Sequence, residues 1–271
     1  MIQRIRIYLR QLGPRIRFRL SAADSKLYRW YYQHMYRPKS GTISYFLDTY
    51  SRQHPHGLTV VQVGANDGIN HDPISKYVKR DGWRGVLLEP QKDIHDKWLQ
   101  KVYAKNPKIE TLCAAIGPTD GTSTLYKIGW SDMRWATGLA SFQRSTLEQA
   151  YSSGHIDRVS KKYGLSIPKD SDIHIVEETV RVVSPSTLLK LYTIDQIDLL
   201  QIDTEGYDYE VIKLFDVSAT KPAAIIYENI HLTKTDRSDC VQHLENNQYI
   251  VRDYGANTLA IHRDSSAASA Q

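Results

Sequence analysis

A short turn in the first half of the sequence contains residues suited to holding a ligand. It follows the apolar run Thr59–Val63 and consists of Gly64, Ala65, Asn66, Asp67 and Gly68. Glycine lets the backbone approach a ligand closely, and the Asp67 carboxylate could accept a hydrogen bond from a ligand amine. The spacing is G-x-x-x-G, not the G-x-G-x-x-G of dinucleotide-binding proteins. The turn therefore favours an amino-acid-bearing cofactor over NAD, with a plain strand-to-helix turn as the alternative.

A second acid lies at a fitting distance from this turn. Glu89 ends the run Gly85–Glu89, close to the roughly 20 residues at which ribose-binding folds place an acid after the glycine turn. A carboxylate there can bind both ribose hydroxyls. Farther along, Ala115 and its neighbours end a third apolar run, and they would offer small side chains and backbone groups to an adenine ring. Together these residues predict a nucleoside-containing cofactor.

The candidate catalytic residues follow two later apolar runs. Asp203 and Glu205 come after the first of these runs, and His231 comes after the second. Ligands of open parallel sheets bind beyond the carboxyl ends of the strands, so these side chains should approach one ligand. His231 is the first candidate for a general base that deprotonates an acceptor hydroxyl, and Asp203, also expected to contact the cofactor, is the second. A structural role for the histidine is the alternative.

Other catalytic classes lose support because their motifs are missing. The sequence has no G-x-x-x-x-G-K-[ST] phosphate loop, no H-E-x-x-H pair, no C-x-x-C pair and no G-x-S-x-G turn. These are the motifs of phosphoryl transfer, zinc hydrolysis, redox or metal-binding cysteines and serine hydrolysis. We therefore expect none of these chemistries.

A parallel sheet is needed to bring the candidate residues together. From residue 59 onward, apolar runs alternate with amphipathic segments, which is the pattern of β-α-β units. The predicted strands are Thr59–Gly64, Gly85–Glu89, Ile109–Ile116, Asp198–Asp203 and Ala223–Glu228, followed by Tyr249–Tyr254 and Thr258–His262. The last two flank Gly255-Ala256-Asn257 and predict an antiparallel hairpin. The expected fold is α/β, with a mostly parallel sheet and a C-terminal antiparallel hairpin.

The chain divides into three predicted regions. Residues 1–57 form a basic, helical arm, residues 58–264 form the α/β domain, and residues 265–271 form a disordered tail rich in Ser and Ala. Within the domain, residues 118–197 have weaker strand and helix signals and are predicted to be an insertion. Long insertions in compact domains are commonly lids or binding loops.

The arm carries most of the positive charge. Residues 1–40 contain ten Lys or Arg and one acid, Asp24, and Ile2, Ile5, Leu9, Leu12 and Ile16 have a helical spacing. A basic amphipathic helix can attach reversibly to an anionic membrane or an acidic partner; docking on the domain or on another subunit is an equal alternative. Because the charge is confined to one end, nucleic acid is not expected as a partner.

The sequence also bears on the compartment. No apolar run reaches the roughly 18 residues that a membrane-spanning helix needs, and no secretory signal follows the N-terminal arginines. The two cysteines, Cys113 and Cys240, are far apart in apolar segments, which fits a reducing compartment. The expected location is the cytoplasm, with peripheral membrane contact through the arm as an option.

At several motifs the sequence resembles the FkbM-type family of S-adenosylmethionine-dependent methyltransferases. These motifs are Val63–Gly68, Gly85–Pro90, Leu200–Gly206 and Tyr227-Glu228, and Gly138–Ser141 resembles the family's central loop. The resemblance covers roughly residues 58 to 262, so the arm inherits no role. It implies a Rossmann-like class I methyltransferase fold, S-adenosylmethionine as cofactor, and methyl transfer to a hydroxyl of a sugar, glycolipid or other natural product.

A metal site is a further option. An acid after one strand and an acid–Asn pair after the next resemble the metal site of catechol-type O-methyltransferases. Asp203, Glu228 and Asn229 could bind Mg²⁺ through hard oxygen ligands and so lower the pKa of the acceptor hydroxyl. The alternative, which we prefer, is that these side chains bind backbone amides or substrate hydroxyls without a metal.

Two other functions compete with methyl transfer. A nicotinamide-dependent oxidoreductase would share the β-α-β-acid pattern, and a non-catalytic, membrane-associated scaffold would use the same fold with the arm as a recruiting element. An RNA methyltransferase would fit the positive charge, but no Asn/Asp-Pro-Pro-Tyr motif follows a strand. The acceptor is expected to be a small molecule, a glycan or a glycolipid, and the oligomeric state stays open.

Overall fold

The computed structural model describes Ile16 and residues 19–270. Its described part contains a seven-stranded sheet and a three-stranded sheet. The strands are β1 (Thr59–Val63), β2 (Arg84–Leu88), β3 (Ile109–Leu112), β4 (Ala115–Ile116), β5 (Gly121–Ile128), β6 (Ile175–Val183), β7 (Leu199–Ile202), β8 (Ala224–Glu228), β9 (Tyr249–Asp253) and β10 (Asn257–His262).

The large sheet has the order β3-β2-β1-β7-β8-β10-β9. The pairs β3–β2, β2–β1, β1–β7 and β7–β8 are parallel, whereas β10 is antiparallel to both β8 and β9. The strand order reverses between β1 and β7, which is where Rossmann-like sheets bind their ligands. The predicted α/β fold, with its mostly parallel sheet and C-terminal hairpin, is confirmed.

Helices cover both faces of the large sheet. The α-helices are Lys26–Trp30, Ile43–Arg52, Ser75–Asp81, Lys92–Ile94, Gln100–Tyr103, Arg134–Thr137, Arg144–Ser152, His155–Tyr163, Pro185–Leu191, Asp208–Leu214, Val217–Thr220 and Lys234–Asn246. Tyr31–Met35 and His95–Leu99 are π-helical, and Ser171–Ile173 and Ser266–Ala270 are 3-10 helices. Along β1, Val60 packs into one core layer and Val61 and Val63 into the other. Burial on both faces explains why these strands read as continuous apolar runs.

The domain begins earlier than the sequence predicted. Thr42 caps the N-terminus of helix Ile43–Arg52, and its side chain accepts a hydrogen bond from the backbone N–H of Tyr45. Its residues Phe46, Leu47 and Tyr50 are buried in the same core as Val60. The core therefore extends N-terminally beyond the predicted boundary at residue 58, which assigned this helix to the arm. Residues 1–15, 17 and 18 of the arm, with its predicted amphipathic helix, lie outside the described residues.

The predicted third strand, Ile109–Ile116, is in fact two strands. β3 ends at Leu112 and belongs to the large sheet, whereas β4 pairs with β6 in the small sheet. The insertion folds around this small sheet, with β5 antiparallel to β6 and a core of its own. A continuous apolar pattern could not reveal that the chain changes sheets at Cys113 and Ala114.

The tail also differs from its prediction. Ser266–Ala270 forms a 3-10 helix, and Ala267 and Ala270 are fully buried against the core. The Nε2 of Gln53 donates a hydrogen bond to the carbonyl oxygen of Ser269 over 3.3 Å. Residues 266–270 thus pack on the core in this structure, because small side chains allow close packing. Among the described helices, none is long and apolar enough to cross a membrane.

Candidate active site

A cleft opens at the carboxyl ends of β1, β2 and β7, where the strand order reverses. It holds about 580 Å³, counted with the solvent at its mouth. Six of the predicted site residues line it: Gly64, Asn66, Glu89, Ala115, Asp203 and Glu205. Parallel strands bring these residues to one edge although they are scattered over the sequence.

Gly64 lies where β1 and β7 come closest. Its φ is +83°, and a Cβ at this position would lie 1.8 Å from the carbonyl oxygen of Asp203. The backbone N–H groups of Gly64 and Ala65 both donate to the carbonyl oxygen of Leu88, over 3.0 and 2.8 Å. Glycine is thus required by the packing of the neighbouring strand as well as by access to a ligand.

Glu89 joins the turn after β1 to the end of β2. Its carboxylate is buried and accepts hydrogen bonds from the backbone N–H groups of Asn66 and Gln91, both over 2.9 Å, and from Nε2 of Gln91 over 3.1 Å. Burial raises the pKa of Glu89, and the bonds from Gln91 and Asn66 oppose this shift. Glu89 therefore holds the shape of the cleft wall in addition to presenting an acid there.

Three residues of the predicted cofactor turn do not line this cleft. Ala65 is buried in the core, and a Cβ on Gly68 would lie 2.8 Å from the Leu99 side chain. Asp67 borders a second cavity, and its Oδ1 accepts hydrogen bonds from the backbone N–H groups of Ile69 and Asn70. The turn directs Ala65, Asp67 and Gly68 into the core and towards its own backbone, and the cofactor-binding role expected of them stays a prediction.

An acid–histidine cluster lies at the ends of β7 and β8. The Nε2 of His231 is 3.0 Å from Oε2 of Glu205 and 3.7 Å from Oε2 of Glu228. Glu205 lines the cleft, whereas His231 and Glu228 are not among the lining residues. Glu205 thus lies between the cleft and the histidine.

Burial and mutual repulsion control the charges in this cluster. The hydrogen bond with Glu205 raises the pKa of His231. Burial, with the charge of Glu205, raises the pKa of Asp203 to about 8. Burial, with the charges of Asp203 and Glu205, raises the pKa of Glu228 to about 9. Near neutral pH Asp203 and Glu228 are therefore protonated, which removes two negative charges from beside Glu205 and His231.

The predicted metal-binding role of Asp203, Glu228 and Asn229 stays a prediction. Asn229 is buried, and its Nδ2 donates to Oγ1 of Thr258 on β10 over 2.8 Å. Its Oδ1 is buried as well and has no hydrogen-bond partner among the described residues. The residues whose ligand atoms do come together, all within 4.8 Å of one another, are Glu205, Glu228 and His231.

Asp208 organises the cluster, and sequence reasoning missed it. Its Oδ2 accepts from the Oγ1 of Thr204 over 2.9 Å and from the backbone N–H of Gly206 over 3.3 Å. Its Oδ1 accepts from the backbone N–H of Glu228 over 3.1 Å. Burial raises the pKa of Asp208 to about 6, and the Thr204 bond opposes it. An acid in the first turn of a helix, directly after the Gly206 turn, was the available signal.

The insertion forms one wall of the cleft. Helix Arg134–Thr137 contacts the turn after β2, because Nε2 of Gln91 donates to the carbonyl oxygen of Thr137 over 2.9 Å. The Oγ of Ser141 donates to the carbonyl oxygen of Glu205 over 3.3 Å. Phe142 and Tyr207 also line the cleft, and their ring centroids lie 5.6 Å apart. Whether the insertion moves as a lid stays a prediction.

The stretch of chain that forms this site matches a known protein family. The family described as methyltransferase FkbM domain matches residues 62–256. Among solved structures, methyltransferase FkbM from Methylobacillus flagellatus KT has a TM-score of 0.45 and 15% identity, covering 91% of this chain and 58% of that one. The present chain thus spans little more than half of that relative.

Two further solved structures are similar over most of their length. Precorrin-6y C5,15-methyltransferase from Geobacter metallireducens GS-15 has a TM-score of 0.36 and 13% identity, covering 84% of this chain and 94% of that one. The delta-N METTL16 methyltransferase domain has a TM-score of 0.38 and 10% identity, covering 89% and 96%. No curated protein matches the sequence.

Proposed function

The chain belongs to the FkbM methyltransferase family, and from this we propose that it transfers the methyl group of S-adenosylmethionine to a hydroxyl of a sugar, glycolipid or other natural product. Its fold is the Rossmann-like class I methyltransferase fold. The observation that carries the proposal is the cleft itself. It joins an acid suited to ribose, Glu89, with an acid suited to proton transfer, Glu205.

The residues along the cleft fit the parts of this cofactor. The buried carboxylate of Glu89 would accept from the ribose hydroxyls, and Ala115 with its small neighbours would border the adenine. Gly64 keeps the strand edge free of side-chain atoms. When bound, the cofactor supplies a methyl group on a sulfonium, which an acceptor oxygen attacks in line.

The acid–histidine cluster would remove the acceptor's proton. Glu205 faces the cleft and is the group through which a hydroxyl proton reaches His231. The proton ends on the imidazole, whose Nε2 then donates to Oε2 of Glu205. The raised pKa of His231 reflects the stability of that imidazolium–carboxylate pair. The oxygen that loses this proton takes the methyl group, so charge and atoms balance.

A sugar-like acceptor is supported by the aromatic side of the cleft. Phe142 and Tyr207 line it next to Glu205. Aromatic rings stack on the apolar faces of sugars, and a nearby carboxylate accepts hydrogen bonds from sugar hydroxyls. These features support a hydroxyl-rich acceptor in preference to an apolar one.

Calorimetric titration of the purified protein tests the proposed function. S-adenosylhomocysteine is expected to bind with one site per chain, and NADH and NADPH are expected to give no heat. Binding of a nicotinamide nucleotide alone would replace the proposal with an oxidoreductase. Absence of binding by all three would favour the non-catalytic scaffold.

We propose that the reaction needs no metal, since the neutral imidazole of His231 can accept the proton through Glu205. Exhaustive treatment with EDTA, followed by gel filtration, is therefore expected to leave the rate of methyl transfer unchanged. Mass spectrometry of the methylated acceptor measures that rate. If EDTA abolished activity and Mg²⁺ or Mn²⁺ restored it, then Glu205, Glu228 and His231 would instead be metal ligands.

We also propose that the N-terminal region attaches the enzyme to anionic membrane surfaces. In the described part of this region, Leu27, Trp30 and Met35 are 63%, 51% and 60% exposed. Exposed cations lie beside them at Lys26 and Arg37. Large apolar side chains next to basic residues are typical of helices that lie in a membrane interface.

The membrane proposal predicts the behaviour of a double variant. Trp30→Ser with Met35→Ser should bind vesicles containing phosphatidylglycerol at least about 10-fold more weakly, because two large apolar side chains are lost. Co-sedimentation measures this. Leu191→Ser, at a residue 57% exposed on another helix, is the matched control and should bind like the unchanged protein. Equal binding by the double variant would contradict membrane attachment through this face.

A further inference from the structure

Arg134 lies in the wall that the cleft shares with a second cavity. The second cavity is bordered by Asp67, Asn70 and Trp98, and both cavities are lined by Asn66, Arg134 and Thr137. A ligand that occupies the cleft at Glu89 and continues past Asn66 would therefore meet the Arg134 side chain. The insertion supplies this cation, whereas Gly64, Asn66 and Glu89 of the predicted cofactor site lie at the edge of the large sheet.

One nitrogen of the Arg134 guanidinium lacks a partner within the described part of the chain. Its Nε is buried and has no hydrogen-bond partner among the residues that the structure describes. Its positive charge opposes the upward pKa shifts that burial gives Glu89, Asp203 and Glu228, but none of the ion pairs between described residues includes Arg134. A buried donor without a partner is costly and points to a missing ligand or water.

Gly138 keeps the space that the guanidinium occupies. A Cβ at Gly138 would lie 1.9 Å from Nη1 of Arg134. The backbone of Gly138 has φ −69° and ψ −21°, which any residue adopts. Glycine is therefore needed here for room and not for backbone freedom. Arg134 therefore supplies the cation, and Gly138 leaves the room that its guanidinium occupies.

We propose that Arg134 binds the carboxylate at the amino-acid end of the cofactor. The inference rests on the proposed function and adds a residue to it. The nucleoside end fits Glu89 and Ala115, whereas the amino-acid end carries a carboxylate that needs a cation once it leaves water. An arginine fork matches a carboxylate in a bidentate way. Arg134 would bind the cofactor and would take no part in moving the acceptor's proton.

Two ligands that differ at the amino-acid end test the assignment. S-adenosylhomocysteine carries the carboxylate, and 5′-methylthioadenosine lacks the whole amino-acid group. Arg134→Gln should weaken binding of the first about 10- to 100-fold, as expected for lost hydrogen bonds to a charged group, and should leave binding of the second unchanged. Titration calorimetry gives both dissociation constants without any acceptor.

Further variants separate binding from folding. Gly138→Ala should reproduce the selective loss, because the added Cβ displaces the guanidinium. Arg134→Lys keeps the charge without the fork and should lose less affinity than Arg134→Gln. Arg158→Gln, at an exposed arginine of the same insertion, is the control and should bind both ligands normally.

The possible outcomes distinguish this inference from the proposed function. If Arg134→Gln weakened both ligands by the same factor, or neither, then the assignment to the carboxylate would be wrong and the cofactor would still stand. If the unchanged protein bound 5′-methylthioadenosine as tightly as S-adenosylhomocysteine, the same conclusion would follow. If the unchanged protein bound neither ligand, the proposed function itself would fail.

Discussion

Replacing His231 by glutamine is expected to lower kcat for methyl transfer by about 10²- to 10⁴-fold, the usual contribution of a general base. The Nε2 of His231 lies 3.0 Å from Glu205, which faces the cleft. Without the imidazole, the proton of the acceptor hydroxyl has no site beyond Glu205. Initial rates with saturating cofactor measure the loss.

Binding measurements show whether that loss is catalytic. S-adenosylhomocysteine should bind to His231→Gln as it does to the unchanged protein, because His231 is not among the residues that line the cleft. His155→Gln, at an exposed histidine of the insertion, should keep full activity. A normal kcat for His231→Gln would exclude His231 as the proton acceptor and leave Asp203 as the next candidate.

The pH dependence of the reaction follows from the same pair. Only the neutral imidazole accepts a proton, so activity should rise as the pH passes upward through the pKa of His231. Glu205 raises that pKa because its carboxylate stabilises the imidazolium. Removing the carboxylate in Glu205→Gln should therefore move the midpoint to lower pH. Titration of the His231 ring by NMR measures the midpoint even if the variant is inactive, and an unmoved midpoint would contradict the pairing.

Gly64→Ala is expected to destabilise the fold by about 2–5 kcal/mol, the combined cost of overpacking and of a left-handed backbone for a residue with a Cβ. The new Cβ would lie 1.8 Å from the carbonyl oxygen of Asp203. Relief requires β1 and β7 to separate at the cleft. Because a domain is typically stable by only about 5–15 kcal/mol, the loss should be plain in urea unfolding.

Gly255→Ala provides the matched control for this variant. Gly255 has a φ of +84°, nearly that of Gly64, but a Cβ there would meet nothing within 4 Å. Its substitution should therefore cost only the backbone component, about 1–2 kcal/mol. Equal destabilisation by the two variants would show that the contact with Asp203 is unimportant.

The sequence predicted what depends on strand periodicity and missed what depends on side-chain direction. The order of apolar runs was enough for the parallel sheet and for the placing of Gly64, Glu89 and Asp203 at one edge. Glu228 and Asn229 are neighbours in the sequence, yet Glu228 joins Glu205 and His231, whereas Asn229 bonds to Thr258. Spacing alone could not show that direction.

The insertion was the least predictable part of the site. The exposed residues of its strands include the polar Thr122, Ser123 and Glu177, so its apolar pattern is weak, and no family motif marks Arg134. That the insertion forms a wall of the cleft follows only from the hydrogen bond between Gln91 and Thr137. Likewise, the sequence shows Asp208 only as an acid at the start of a helix. Its role in the cluster follows from the hydrogen bond that it accepts from the backbone of Glu228.

The change of sheets between β3 and β4 has a mechanical consequence. β3 belongs to the parallel sheet and β4 to the insertion, with only Cys113 and Ala114 between them. Ile116 of β4 and Val183 of β6 are nevertheless buried in the same core layer as Val61 of β1, so the small sheet is fastened to the large one both where the chain enters it and where the chain leaves it. Ala114 and Ala115 line the cleft next to this junction, so the wall that we propose for the adenine cannot shift without disturbing the core.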